Sequence, residues 1–292
     1  MYCFVAALNW GLGHATRCVP VINRLLDYGQ NVVIGSDGIA LDYLRNYFPQ
    51  LKTIQLPALN IRYSAGKSQT ATLMLQLPEI FKWIRQDRKA LQQILQHEHF
   101  DLIISDNRFG LAAPRAVYIT HQLHIRLPQP FRWLEPIAEM WHRKIIEQYT
   151  ECWIPDYEDY PGLAGELSHP HRLPHNSRYI GPLSRFQPPL TRPDTDNSIL
   201  AIISGPEPQR SIFEQEIKEH YDKVIIANGQ PPFITDMELT EYMLKARQVV
   251  SRSGYSSIMD YDILGILDKA VMIPTPGQPE QEYLATLHKS KQ

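Results

Sequence analysis

A chain of 292 residues, 43% of them hydrophobic, carries enough apolar material for one large or two medium domains. Its net charge of -2 and pI near 6.6 exclude the large basic excess of a nucleic-acid-binding protein. Cys3, Cys18 and Cys152 are too few and too far apart for a disulfide framework or a zinc site, and they point to a reducing, cytoplasmic setting.

In MYCFVAALNWGLGHATR a short apolar run leads straight into a glycine turn. That reads as a buried strand, not as a signal peptide. No stretch approaches the ~18 apolar residues of a membrane span. ATRCVPVINRLLDYG predicts a helix with Val19, Ile22, Leu25 and Leu26 on one stripe, followed by strands in NVVIGSD and LKTIQLPAL. LPEIFKWIRQDRKALQQILQHE predicts a long amphipathic helix, then strands in DLIISD and AVYITHQ. Residues 161–197 hold seven prolines and little periodicity, as in a domain end and linker. The alternation then restarts: strand SILAIISG, helix QRSIFEQEIKEHY, strand KVIIANG, strand and turn QVVSRSG, helix SSIMDYDILGIL, strand AVMIPTPG. Strands alternating with helices predict parallel βαβ units. The expected fold is α/β, with two doubly wound Rossmann-like domains facing across a cleft, over residues 1–185 and 186–292. The second domain reads as short, because only PPFITDMELTEYMLKA stands where another strand and helix are expected.

Four constellations carry chemistry. Gly11-Leu12-Gly13-His14 follows the first strand, where two glycines let the backbone turn sharply and approach a ligand. It is not the full dinucleotide fingerprint, because Thr16 stands where a third glycine belongs; Asp37 keeps a weak nicotinamide reading open. His14 is placed to act as a general base, with a turn-capping histidine as the competing reading. Ser204-Gly205-Pro206-Glu207-Pro208-Gln209-Arg210 is a second strand-to-helix turn able to cradle a phosphate, or an ordinary loop with an arginine. Ser251-Arg252-Ser253-Gly254-Tyr255-Ser256-Ser257 follows a strand and opens a helix bearing Asp260, placed to accept hydrogen bonds from ribose hydroxyls. Finally, Pro274-Thr275-Pro276-Gly277-Gln278-Pro279 leads to Gln281 and Glu282, side chains suited to sugar hydroxyls.

SRSGYSSIMD followed by IPTPGQPEQEYLA resembles the donor domain of the GT-B glycosyltransferases of family 28, the family of the lipid II-forming N-acetylglucosaminyltransferase of peptidoglycan synthesis. GLGHATR resembles its N-terminal glycine loop, SGPEPQR its second glycine-rich loop, and Thr120-His121-Gln122 its acceptor-facing polar cluster. The chain departs from the family with Asp260 in place of glutamate, Gln281-Glu282 in place of Gln-Gln, and Pro206 and Pro208 in place of glycines.

The resemblance implies an inverting glycosyl transfer without metal or cofactor. A nucleotide-sugar donor, a UDP-sugar by the same likeness, lies on Ser204, Gly205, Gln209, Arg210, Arg252, Ser253, Gly254, Tyr255, Ser256, Ser257, Asp260, Gln281 and Glu282. The acceptor, a sugar, lipid-linked or small molecule, meets Gly11, Gly13, Asp106, His121 and Gln122, and His14 takes its proton. Asp106 also reads as a plain strand-end cap. Phe131, Trp133 and Trp141 with nearby basic residues allow a peripheral contact at the inner face of a membrane, against core packing as the alternative. Two rivals stay open: a nucleotide-sugar 2-epimerase of the same architecture, and a non-catalytic nucleotide-sugar-binding module.

Overall fold

The computed structural model describes residues 1–59 and 76–289, which form two parallel sheets. The first contains β1 (Tyr2–Ala7), β2 (Asn31–Ser36), β3 (Lys52–Gln55), β4 (Leu102–Asp106), β5 (Ala116–Ile119), β6 (Glu151–Ile154) and β7 (Ser177–Tyr179), in the order β3-β2-β1-β4-β5-β6-β7. The second contains β8 (Ile199–Ile203), β9 (Ile225–Asn228), β10 (Gln248–Arg252) and β11 (Ala270–Ile273), in the order β11-β10-β8-β9. The expected architecture of two Rossmann-like units is therefore present, and the second sheet is the smaller.

Strand alternation sorts the core. Val5 and Ala7 face one side of the first sheet, against α1 (Gly13–Asp27) and α2 (Gly38–Tyr47). Phe4 and Ala6 face the other, against α3 (Leu77–His97) and α4 (Glu135–Ile146). Two covered faces explain why these strands read as continuous apolar runs. In the second sheet, α5 (Gln209–His220) covers one side, and α6 (Asp236–Lys245) and α7 (Tyr255–Leu264) the other. A capping box starts α6: Thr235 Oγ1 accepts from the Glu238 N–H at 3.3 Å, and the Glu238 carboxylate accepts from the Thr235 N–H at 3.1 Å. Gly265, with φ +65°, closes α7.

Three elements lay beyond the sequence reading: α2 and the short strands β6 and β7. A three-residue edge strand such as β7 has no period to detect. Between β9 and β10 there is a single helix, α6, with no strand. Leu183 packs against the core of the first sheet and Phe186 belongs to that of the second. A further apolar cluster ties the halves together. Leu163, Ala164 and Leu167 meet Tyr255, Ile258 and Met259 of α7, together with Leu284 of α8 (Pro279–Lys289).

A buried ion network locks the first sheet. Arg108 is fully buried. Its Nε and one terminal nitrogen donate to Asp87 at 3.1 and 2.6 Å, and the other terminal nitrogen donates to Asp37 at 2.9 Å. Asp37, the residue that kept a nicotinamide reading open, is thereby occupied, and Asn9 Nδ2 also donates to it at 2.9 Å. Removing one partner of a buried ion network leaves uncompensated charge, at a cost of roughly 3–5 kcal/mol. Arg108→Leu should lose about that much unfolding free energy in a urea titration; a loss under about 1 kcal/mol would show the network to be dispensable.

Candidate active site

Open α/β sheets bind ligands at the carboxyl ends of their strands, where the strand order reverses. In the first sheet that point lies between β1 and β4, and Ala7 pairs with Asp106 there. In the second it lies between β8 and β10. The two switch points face each other. A Cβ added to Gly11 would stand 3.4 Å from the Gly205 Cα, and one added to Gly13 would stand 2.9 Å from Ser256 Oγ. Gly11 has φ +79° and Gly205 φ +109°, conformations that favour glycine. The Ser256 hydroxyl donates to the Gly13 carbonyl at 2.9 Å, so the two turns are in direct contact.

On the side of the first sheet, His14 Nδ1 lies 2.7 Å from Asp106 Oδ1. Asp106 is fully buried at the end of β4, and His14 retains 16% side-chain exposure. Burial alone would raise the Asp106 carboxyl. The Arg17 guanidinium and His14 overcome it and hold the group at about 2. Arg17 Nε donates to Asp106 Oδ2 at 2.6 Å and a second Arg17 nitrogen donates to Oδ1. His121 and Gln122 follow β5. Burial pushes the His121 imidazole down, against the pull of Glu280.

On the side of the second sheet, Ser204, Ser256, Ser257 and Asp260 line a cavity of about 90 Å³ with Leu12 and Gly13 across from them. The Ser184 hydroxyl donates to Asp260 at 2.6 Å. Burial pushes the Asp260 carboxyl up to about 6, although Arg185 and Ser184 oppose it. Gly254 stands at the N-terminus of α7. Gln209 is buried at the start of α5. Arg210 donates to Asn228 Oδ1 at 3.1 Å and pairs with Glu207. The Arg252 guanidinium lies 4.1 Å over the Phe213 ring and donates to the Pro274 carbonyl at 3.1 Å.

Other expected donor residues have structural partners here. Tyr255 stacks on His121 with ring centroids 4.0 Å apart and donates its hydroxyl to the Pro155 carbonyl at 2.8 Å. Ser253 donates to the Gln281 carbonyl at 2.8 Å. Gln281 Oε1 accepts from the Thr275 N–H at 2.8 Å, and Glu282 Oε1 accepts from the Gly277 N–H at 2.9 Å. Both side chains brace the proline loop. Glu280, which sequence reasoning passed over, is the one that crosses the cleft: His121 Nε2 lies 2.8 Å from its Oε1, and Gln122 donates to its Oε2. Burial would raise Glu280, but His121, His14 and Arg17 hold it below its ordinary value. Arg17 was also missed. Its signal was its place one helical turn after His14, on the same face.

Of the aromatic segment, Trp141 packs edge-on to Phe81 and Phe109, while Trp133, Ile137 and Met140 stand exposed at 72%, 54% and 54%. No described helix is long and apolar enough to cross a membrane.

No protein-family model matches the chain, and no curated protein matches it either. Solved structures do share its fold. The kitacinnamycin glycosyltransferase superposes with a TM-score of 0.60 at 12% identity, over 98% of this chain and 84% of its own. The Streptomyces sp. SF2575 glycosyltransferase SsfS6 gives 0.57 at 14% identity, over 99% and 86%. A candidate UDP-N-acetylglucosamine 2-epimerase from Listeria monocytogenes gives 0.54 at 12% identity, over 100% and 87%. The fold is that of the GT-B glycosyltransferases, two Rossmann-like units facing across a cleft.

The depressed Asp106 carboxyl has a sign. Its folded value lies below the ordinary value of 3.8. The stability it contributes is therefore present above about pH 4 and lost as pH falls toward 2. That is about 2 kcal/mol of pH-dependent stability. Asp106→Asn should be destabilised at pH 7 in urea titrations, and its deficit against wild type should shrink by about that amount near pH 2. A deficit independent of pH would remove the assignment.

Proposed function

We propose that this protein is a glycosyltransferase that moves a hexose-type sugar from a nucleotide-diphosphate donor, a UDP-sugar by resemblance, to a hydroxyl acceptor, with inversion and without a metal. The observation that carries the reading is the His14–Asp106 pair at the mouth of the cleft, against the N-terminus of α7. Ionised Asp106 accepts only, so it fixes the His14 hydrogen on Nδ1 and leaves the Nε2 lone pair for an acceptor hydroxyl. As the hydroxyl attacks the anomeric carbon, its proton passes to Nε2 and the bond to the diphosphate breaks. The leaving charge falls on the N–H groups of residues 253–257, on those of Ser204, Gly205, Gln209 and Arg210, and on the Arg210 or Arg252 side chain. In this reading Asp260 takes the ribose, inside the cavity it lines with Ser257.

A 2-epimerase remains the rival, because Glu280 brings a second carboxylate into the cleft. It needs carboxyls free to exchange protons. Asp106 and Glu280 are both held ionised by hydrogen-bonded cations or imidazoles, which favours the transferase. Incubation with a panel of nucleotide sugars separates the readings. Free diphosphate formed only with acceptor supports transfer, interconverted sugar supports epimerisation, and binding without turnover supports a module that does no chemistry.

A general base contributes about 10²–10⁴-fold. His14→Ala should lower turnover by that factor and leave donor affinity nearly unchanged, whereas Asp260→Ala should weaken donor binding by about 1 kcal/mol. Near-full turnover in the first variant, with chemistry rate-limiting, would move the base elsewhere. A cytoplasmic setting with peripheral membrane contact belongs to the same reading, carried by the exposed Trp133, Ile137 and Met140 beside Arg132 and Lys144. Trp133→Ser should reduce co-sedimentation with vesicles containing anionic lipid; binding equal to wild type would remove that contact.

A further inference from the structure

Arg17 is buried, with 1% side-chain exposure, and it reaches three polar groups of the cleft floor, Asp106, His14 and His121. Its Nε and one terminal nitrogen grip both oxygens of Asp106. The same terminal nitrogen lies 3.0 Å from His14 Nδ1. The other lies 3.3 Å from His121 Nδ1. Guanidinium is a donor only, so each of these contacts has a fixed direction. His121 Nδ1 must accept from Arg17, which puts the His121 hydrogen on Nε2, where it donates to Glu280 at 2.8 Å. His14 Nδ1 cannot accept from Arg17 while it donates to Asp106. Near this nitrogen Arg17 therefore acts on Asp106, holding the carboxylate in the plane that His14 needs. The directions close into one chain from the second sheet's side to the first: Glu280 accepts from His121, His121 from Arg17, and Asp106 from both Arg17 and His14.

We propose that Arg17 is a positioning residue that couples closure of the cleft to the tautomer of His14, through His121 on one side and Asp106 on the other. It rests on the reading of His14 as the base and deepens it. When Glu280 is seated, His121 is held as the Nε2–H form, one face of the Arg17 fork is anchored, and Asp106 is fixed for His14. When Glu280 withdraws, His121 loses its acceptor and is free to turn or to exchange tautomers. Arg17 then loses an anchor and Asp106 loses part of its orientation. The base is thus set when the half of the molecule that carries Glu280 is in place. The stack of His121 on Tyr255 of α7 adds a second contact across the cleft.

Histidine-selective ¹⁵N NMR of the ligand-free protein tests this without any assumption about the reaction. Wild type should show His14 as Nδ1–H and His121 as Nε2–H. In Arg17→Lys, which keeps the charge and loses the fork, the His14 signal should become a mixture of tautomers. Glu280→Ala, a change at a partly exposed side chain, should disturb His121 and carry through to His14. Glu280→Gln keeps a carbonyl acceptor for His121 and should restore both signals. A His14 signal that stays a single Nδ1–H form in both Arg17→Lys and Glu280→Ala would overturn the proposal. So would a Glu280→Ala spectrum in which only His121 moves. Should Arg17→Lys not fold, the Glu280 pair decides alone. Once a donor and acceptor are in hand, Arg17→Lys should lower kcat on the order of a hundredfold or more with little change in donor KM, as loss of a tautomer-fixing partner does in other histidine-based sites. Absence of any transfer by wild type would count against the transferase reading and leave the tautomer result standing, so the two failures are distinguishable.

Discussion

A carboxylate cannot be buried at the end of a parallel strand without a partner, and the site is arranged around this fact. Asp106 is fully buried where β1 and β4 diverge. Desolvating an ion costs several kcal/mol unless it is paired and hydrogen-bonded. Arg17 meets that demand and must then be buried itself. Its guanidinium reaches Asp106 because α1 starts at Gly13, directly after the turn at Gly11. The same start puts His14 one turn before Arg17, over the same carboxylate. The place of the imidazole thus follows from the need to neutralise one buried charge.

The contact between the two halves follows a different logic. Backbone approaches backbone at Gly11 and Gly205, where a Cβ on Gly11 would touch the Gly205 Cα at 3.4 Å, and a Cβ on Gly13 would crowd the Ser256 hydroxyl at 2.9 Å. Apolar packing of Leu163 and Leu167 on Ile258, Met259 and Leu284 holds the arrangement. The cavity left is about 90 Å³. Ligand pockets for molecules the size of a drug or cofactor run to roughly 300–1,000 Å³. In the transferase reading, a nucleoside diphosphate needs more room than this cavity gives.

Much of this was legible in the sequence, for reasons tied to particular residues. Tyr2–Ala7, Leu102–Asp106 and Val249–Val250 are apolar on both faces, so the covered strands announced themselves. The glycines at 11, 13, 205 and 254 marked where the chain turns toward a ligand. What was not legible depends on direction more than composition. Arg17 in ATRCVP looks like a solvated helix residue until the carboxylate 89 positions later is known to lie beneath it. Glu280, Gln281 and Glu282 differ by one residue each, and about 100° of helix rotation separates neighbours. No pattern in the chain says which of the three faces the cleft. The first, at the start of α8, crosses it, and the next two fold back onto the Thr275 and Gly277 amides.

That division of labour has a consequence for recognition. Gln281 and Glu282 each accept from a loop amide, and Glu280 is the one of the three that bonds across the cleft. Both of its oxygens are already satisfied, by His121 and Gln122. A ligand hydroxyl that takes their place exchanges one hydrogen bond for another of similar strength, and the net gain per bond is small. Discrimination does not need a large gain. A ligand that displaces His121 and Gln122 without offering a donor leaves this partly exposed carboxylate two donors short, a loss that a matched ligand does not incur. In the transferase reading, selectivity at Glu280 comes from rejecting the wrong ligand more than from holding the right one.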